Sequence, residues 1–531
     1  MSILISNSPA RRLVALAVAA LSVSACRGRV AAPVPTSAPL VHAVVPNPAS
    51  IELSRTDSFV VMPNTGVYVD AAANPEVEAV GTYAANMIAS HAGATAQRLA
   101  TGQGTPDSSI SLQLDPSRTT LGAEGYDLTI ARTSVRIVAA EPAGLFYGVQ
   151  TLRQLLPPSV EHQAAIARRL AAPTGHVVDS PRFPWRGAML DVARHFLPAP
   201  DVKRFIDVMA LYKLNRLHLH LADDQGWRIE IKSWPRLTEI GGQTAIGGAR
   251  GGFYTQAEYA DLVAYARARY ITIVPEIDMP GHSNAALVSY PDLSCNRVAP
   301  PPFMAVGGPP NSLCVDRDSI YTFVSNVVHE IAAAAPTPYF HIGGDEVRNL
   351  SKPQYRGFVE RVEQIVDSAG PRMIGWGEVA LANIQPNTIV QHWNNDSTVL
   401  HARRGGKIIL SPGPHAYLDM KYDSASVLGL KWAGLIGLKT AYDWNPATAI
   451  AGVGEESILG VEAPLWAETL LTLDDYEFQA FPRLIAIAEL GWTPAAKDNW
   501  DDFRQRVGAH GARLAAMGVN FARVPGVNWT W

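Results

Sequence analysis

The sequence predicts an α/β chain built on a (β/α)8 barrel (TIM barrel), preceded by a small α+β domain. Three observations predict it. From Phe183 onward, eight short apolar runs recur: AMLDVAR, RLHLHLAD, YITIVPEID, YFHIGGDE, RMIGWGE, TIVQHW, KIILSP and ILGVEAPLW. Helical stretches separate several of them, including DVKRFIDVMALYKL, FVERVEQIV and a helix opening at Thr255 with Glu258 completing a capping box. Strands alternating with helices imply parallel βαβ units, and eight units over about 310 residues imply a closed barrel. The third observation is length, since 531 residues leave room for a further domain and a large core.

Composition narrows the class. The chain is 47% hydrophobic and 17% charged, which suits extensive buried surface and excludes a disordered protein. Its net charge of -4 comes with no basic stripe, so nucleic acid is set aside as a partner.

The N-terminus reads as a targeting segment. Arg11 and Arg12 precede the apolar run Leu13 to Val23, then Ser24, Ala25 and Cys26. The run is shorter than the ~20 apolar residues a membrane span needs. The order of basic, apolar and small residues is that of a secretory signal. VSAC resembles a bacterial lipoprotein processing site; residues 1–25 would be removed and Cys26 would carry the lipid. The alternative is an ordinary cleaved signal. The first form places the protein in the periplasm or on the cell surface, held to a membrane only by its lipid anchor.

Residues 26–50, rich in Pro, Ala and Val, read as a flexible tether. Residues 51–180 read as the α+β domain, with strand candidates SISLQLD and YDLTIARTSVRIVAA and a helix near Leu145 to Leu155. Residues 181–531 form the barrel with a C-terminal helical extension. In an exported chain, Cys295 and Cys314 are expected to pair and staple the loop holding APPPFMAVGGPPN. Two free thiols or a metal pair are the alternatives.

A barrel carries its chemistry at the C-terminal ends of its strands. Those ends hold Asp191 and Arg194; Asp223 and Asp224; Glu276, Asp278 and His282; Asp345 and Glu346; Trp376 and Glu378; His392 and Trp393; Tyr417 and Asp419; Trp466 and Glu468. Trp offers flat apolar walls to sugar rings, and carboxylates and Arg bind hydroxyls. A carboxylic acid whose pKa is raised by burial can protonate a glycosidic oxygen. The inventory points to carbohydrate hydrolysis. Successive strand residues face opposite ways, so Asp345 and Glu346 reach one site only if the chain leaves the strand at Gly343 and Gly344.

The ordered motifs RGAMLDVARHFLP, LHLHLADDQGWRIEI, EIDMPGH, HIGGDE, GWGE, QHW and APLWAET resemble the β-N-acetylhexosaminidases of glycoside hydrolase family 20. GAEGYDLTI and AEPAGLFYGVQTLRQLLP extend the resemblance, more weakly, into the first domain. The resemblance implies exo-acting hydrolysis of terminal non-reducing β-GlcNAc, with β-GalNAc as a further candidate substrate, with retention and without metal or organic cofactor. The substrate's own acetamide oxygen would be the nucleophile, giving an oxazolinium intermediate. Glu346 matches the general acid and Asp345 the group that orients the acetamide. Tyr417 matches the donor to the acetamide oxygen, and Trp376, Trp393 and Trp466 the wall around its methyl group. Arg194, Asp419 and Glu468 match binders of the sugar hydroxyls, and Trp432 the platform for the next sugar. Asp191, Asp223, Asp278 and His282 match supports, with a His–Asp contact tuning Glu346. The implied partners are oligosaccharides or glycoconjugates ending in β-N-acetylhexosamine.

Two other readings compete. His218 and His220 share one strand face and could belong to a metal-dependent hydrolase, but the only further strand-end histidine counted is His392. Hydrogen-bonded core histidines explain them better. A catalytically inactive sugar-binding lipoprotein would not need a buried proton donor.

Overall fold

Eight parallel strands close into a barrel: β8 (Trp185–Asp191), β9 (Arg216–His220), β10 (Thr272–Glu276), β11 (Tyr339–His341), β12 (Arg372–Trp376), β13 (Ile389–His392), β14 (Lys407–Leu410) and β15 (Ile458–Leu465). Each expected run supplies one strand. This is a computed structural model, and it describes residues 42–530 apart from 71–73, 93–94, 100–105, 163–168 and 395–396. Cys26 and the rest of the expected signal lie outside the described residues. Among the described residues, no helix is long and apolar enough to cross a membrane.

The outer helices are uneven. Ala199–Leu211, Gln256–Arg267, Asp318–Ala334 and Lys352–Ala369 follow the first four strands. The Gln256 helix opens with the expected Thr255–Glu258 capping box. After β12 there is only a short 3-10 segment, Gly377–Leu381, which leaves Glu378 beside the strand end.

The barrel interior is layered by the two-residue period of its strands. Val274, Ile374, Ile389 and Ile409, with Trp185, form an apolar plug. Two residues further along stand Glu276, Trp376 and Gln391 on the same strands and Ser411 just past the end of β14, which join a polar layer. The functional strand ends lie above it.

The first domain is a seven-stranded sheet in the order β1-β7-β5-β6-β4-β2-β3. Its strands are β1 (Ser50–Val60), β2 (Gly66–Val69), β3 (Ala96–Arg98), β4 (Ser109–Leu114), β5 (Tyr126–Ile130), β6 (Ser134–Ala139) and β7 (Ala171–Asp179). Helices Pro75–Ala92 and Pro142–Leu155 pack against it. The run starting at Tyr126 is two strands, not one: it turns back at Ala131, whose amide donates to Ser134 O at 2.8 Å. The sheet is joined to the barrel by buried ion pairs, Lys213–Asp179 at 3.0 Å and Arg186–Glu124 at 2.8 Å.

The tether reading is corrected at its C-terminal end. Val44 and Val45 are fully buried. Their neighbourhood is bonded to distant residues: Val45 N donates to Gln154 Oε1 (2.8 Å), Asn47 N to Glu489 Oε2 (2.9 Å) and Arg506 Nη1 to Val44 O (3.0 Å). Residues 42–48 are thus a docked strap, and Ser50 already begins β1. An apolar, charge-poor segment has the same composition whether it is docked or free, so tertiary partners decide.

Candidate active site

The Asp345–Glu346 pair is built by a turn. β11 stops at His341, and Gly343 and Gly344 adopt φ of 66° and 93°. Glu346 follows in the same left-handed region at φ 54°. The pair therefore leaves the strand, as the sequence demands. A Cβ on Gly343 would lie 1.9 Å from Asp278 Oδ1, and that oxygen accepts the Gly344 amide at 3.1 Å. Glycine is needed for both the dihedral and the close approach.

The two carboxylates end in different environments. The Asp345 side chain is 14% exposed and points inward; the Glu346 side chain is 42% exposed and meets Arg348 Nη2 at 3.2 Å. The expectation of a buried proton donor is corrected: Glu346 lies on the rim. Burial raises the pKa of Asp345 and, more strongly, that of Asp278, where the nearby Asp345 carboxylate adds to the rise. His282 opposes the rise in both.

His282 is 3.3 Å from Asp223 Oδ1, 3.4 Å from Asp224 Oδ2 and 3.9 Å from Asp345 Oδ2. The expected His–Asp contact is therefore present, between His282 and Asp223, and the other ring nitrogen of His282 faces Asp345. Burial works against the charge of Asp223, but Arg194 and His282 more than offset it and hold that carboxyl well below its usual range.

Aromatic rings enclose the space beside Asp345. Trp376 and Trp466 are buried, with centroids 5.8 Å apart. Tyr417 lies 6.4 Å from both Trp466 and Trp393, and Trp432 stands edge-on to it at 5.3 Å. Trp432 is 52% exposed, at the rim where a second sugar could stack. Burial, then Asp345, keeps the Tyr417 phenol protonated. On the far side, Arg194 donates to Asp223 at 2.7 Å and Asp191 at 3.3 Å, with its guanidinium 4.9 Å from the Trp466 ring centroid. Asp191 also accepts the amides of Ala193, Arg194 and Ala467, which fixes the β8 and β15 ends together. Both carboxylate oxygens of Asp419 and Glu468 Oε2 are buried without a protein partner. Burial raises both pKa values, and each oxygen would accept a ligand hydroxyl.

Further residues join this mouth. Glu378 Oε2 accepts the Trp393 indole at 3.2 Å, and burial followed by Asp345 pushes its pKa up to about 7. Gln225 accepts from Arg194 Nε at 3.1 Å and donates to Ala305 O and Gly307 O of the disulfide loop. Glu378 was visible as a strand-end acid; Gln225 carried no signal beyond following Asp223 and Asp224. The Cys295–Cys314 bond is formed, with Cα atoms 4.8 Å apart. A cleft of about 90 Å³ beside Glu346 is walled by this loop's residues 308–311 together with Asp224, His282 and Arg348. A larger hollow of about 520 Å³ lies away from the strand ends, and its arginines are already paired, Arg153 with Glu161 and Arg204 with Glu477.

The histidines need one correction. His341 on β11, not His392, is the further histidine near His218, with ring centroids 4.5 Å apart. His218, Glu276 and His341 could converge on an ion, as could His220, Glu276 and Asp278, or Asp223, Asp278 and His282. Yet His218 is already held between Glu276 (2.9 Å) and Glu462 (2.9 Å), and these acids raise its pKa to about 9 against the opposing effect of burial. An imidazolium between two carboxylates balances their charge and fits hydrogen-bonded core histidines.

Comparison with known proteins agrees with this geometry. The glycosyl hydrolase family 20 catalytic domain matches residues 183–352 and 348–495, and the family's domain 2 matches 41–180. A β-N-acetylhexosaminidase of Cellulomonas fimi is 40% identical over 491 residues, covering 92% of this chain and 97% of that protein. The GH20 β-N-acetylhexosaminidase of Streptomyces coelicolor A3(2) superposes with a TM-score of 0.87 at 43% identity, over 92% of this chain and 99% of the other. A mutant Streptomyces plicatus β-hexosaminidase in complex with the product GlcNAc gives 0.87 at 44%, over 92% and 98%. Both domains, nearly full-length relatives and the barrel-mouth constellation agree that the chain belongs to glycosyl hydrolase family 20 and is a glycoside hydrolase.

Proposed function

We propose that the enzyme removes terminal non-reducing β-linked GlcNAc by substrate-assisted catalysis with retention, with β-GalNAc to be tested alongside. The observation that carries this reading is the unequal placement of Asp345 and Glu346. Asp345 is set inward near Tyr417, whose ring packs with Trp393 and Trp466, and Trp466 with Trp376, so that an acetamide would fit there; Glu346 faces the open rim, where a leaving sugar would sit.

In the first step, the acetamide oxygen attacks C1 as the glycosidic C–O bond breaks, and Glu346 gives its proton to the departing oxygen. Asp345 holds the acetamide N–H and stabilises positive charge on the oxazolinium, while Tyr417 donates to the acetamide oxygen. In the second step, Glu346 takes a proton from water as the water attacks C1 and the ring reopens. The leaving sugar itself would cover Glu346 and supply the desolvation the free enzyme lacks. Arg194, Asp419 and Glu468 would bind the hydroxyls, whose donors satisfy the orphaned oxygens.

Proton NMR of the hydrolysis of a chromogenic β-GlcNAc glycoside tests the reading. The β-anomer of free GlcNAc should appear first; an α-anomer first would overturn it. Activity should survive chelation, since no step calls on a metal.

The same reading includes export as a lipoprotein through Cys26, supported by the basic, apolar and small order of the N-terminus and by a disulfide that suits an oxidising compartment. Labelled fatty acid should be incorporated into the wild type and not into Cys26→Ser; labelling of both would reject it.

A further inference from the structure

We propose that Glu276 is a positioning residue that sets the acetamide wall and the hydroxyl-binding side of the site in register, through the two oxygens of one buried carboxylate. The inference rests on the proposed acetamide pocket. Glu276 is the last residue of β10, fully buried in the polar layer directly beneath the mouth. It lies in neither of the carboxylate roles assigned above.

Its two oxygens serve different sides. Oε1 accepts the indole N–H of Trp376 at 3.0 Å, which fixes the plane of that wall. Oε2 faces His220 Nδ1 at 2.5 Å, and His220 Nε2 continues to Asp223 Oδ2 at 2.9 Å. Asp223 Oδ2 in turn receives Arg194 at 2.7 Å, and its other oxygen faces His282. The His220 ring also stands edge-on to Trp466 at 4.9 Å. The Trp376 indole and the Asp223–Arg194 pair therefore take their orientation from Glu276, and the Trp466 ring rests against the His220 that Glu276 holds. The layer below is charge-balanced: the neighbouring acids raise the pKa of both His218 and His220 against burial, so imidazolium cations flank the carboxylate.

A carboxylate can accept on both oxygens; an amide cannot. In Glu276→Gln, one end becomes an N–H2 donor facing either the indole N–H or the protonated His220, so one of the two clamps must open. Loss of a donor–acceptor match in a buried network frees the ring it held, and a displacement of about 1 Å near the reacting groups can cost about 10²-fold in rate.

The test is the kcat/KM of the full enzyme on a pair of nitrophenyl β-glycosides, one with an N-acetyl and one with an N-propionyl group, for wild type, Glu276→Gln, Glu276→Asp and Trp376→Phe, with thermal unfolding measured alongside. Glu276→Gln is expected to lose about 10²-fold on the N-acetyl substrate, mainly in kcat, and to narrow the N-acetyl over N-propionyl preference by roughly tenfold, as a loosened wall tolerates the larger acyl group. Trp376→Phe, which shrinks the wall itself, should narrow the same preference and sets the scale of a loosened wall, and Glu276→Asp, which keeps both acceptors but withdraws them from Trp376 and His220, takes the place of Glu276→Gln should that variant fail to fold. A Glu276→Gln enzyme, or Glu276→Asp in its place, that folds and keeps the wild-type preference would overturn the inference, as would a Trp376→Phe enzyme with unchanged preference. A wild type that cleaved 2-hydroxy and 2-acetamido glycosides alike would instead remove the acetamide pocket itself.

Discussion

Asp278 Oδ1 accepts the amide hydrogen of Gly344 at 3.1 Å, and so holds in place the turn that presents Asp345 and Glu346. The side chain lies so close to Gly343 that no Cβ fits there. A buried acid two residues beyond the end of β10 thereby shapes the catalytic end of β11.

Gly343→Ala should be damaging for two reasons, the φ of 66° and the 1.9 Å approach to Asp278. We expect a loss of about 1–3 kcal/mol in stability from backbone strain alone, with greater loss of activity as the turn shifts. Urea unfolding and kcat/KM on a β-GlcNAc glycoside measure the two; a variant unchanged in both would mean that the turn tolerates a side chain.

Glu346→Gln should lose roughly 10²–10⁴-fold toward a disaccharide, the usual scale for general acid catalysis, and less toward a nitrophenyl glycoside, whose leaving group needs little protonation. Near-wild-type turnover of the disaccharide would refute the assignment.

Asp345→Asn should keep the shape of the pocket but remove the charge that faces the oxazolinium. A fall in kcat of about 10²-fold on 2-acetamido substrates is expected, the scale of losing one preorganised electrostatic contact. Normal cleavage by the variant would end the substrate-assisted role.

Glu378 links stability to pH. Its pKa in the folded protein is pushed up to about 7 from 4.5, so between these values the native state keeps a proton that the unfolded chain has released. Stability therefore declines as pH rises from about 4.5 to about 7 and the effect levels off above that. The unfolding midpoint of Glu378→Gln, compared with wild type across this window, should lack that part of the slope. Parallel curves would show that Glu378 does not titrate there.

Replacing Cys295 and Cys314 by Ser opens a loop whose ends are 19 residues apart. The chain-entropy model gives about 3 kcal/mol of lost stability. Because Gln225 ties Arg194 to Ala305 and Gly307 in this loop, KM should rise as well. A stability loss with no change in KM would confine the disulfide to a structural role.

The barrel was legible in the sequence because its strands are buried on both sides and read as short apolar runs, each ending in polar or aromatic residues. The first domain was less legible. β1, SIELSRTDSFV, lies largely on the surface and mixes polar with apolar residues, so no run marks it. The strap at Val44 and Val45 had the composition of a linker, and only its bonds to Gln154, Glu489 and Arg506 distinguish it from one.

By itself the sequence determined which groups gather at the barrel mouth, because strand order and strand polarity place every C-terminal end on one face. It also required the break at Gly343 and Gly344, since adjacent strand residues cannot share a side. Only the tertiary structure decided how the gathered groups divide the work. Burial depends on neighbours distant in the chain, and it set Asp345 inward, left Glu346 on the rim, brought His282 to Asp345 and raised Glu378. It also placed Glu276 between residues from β9 and β12, a pairing that requires the closed barrel and that no local pattern encodes.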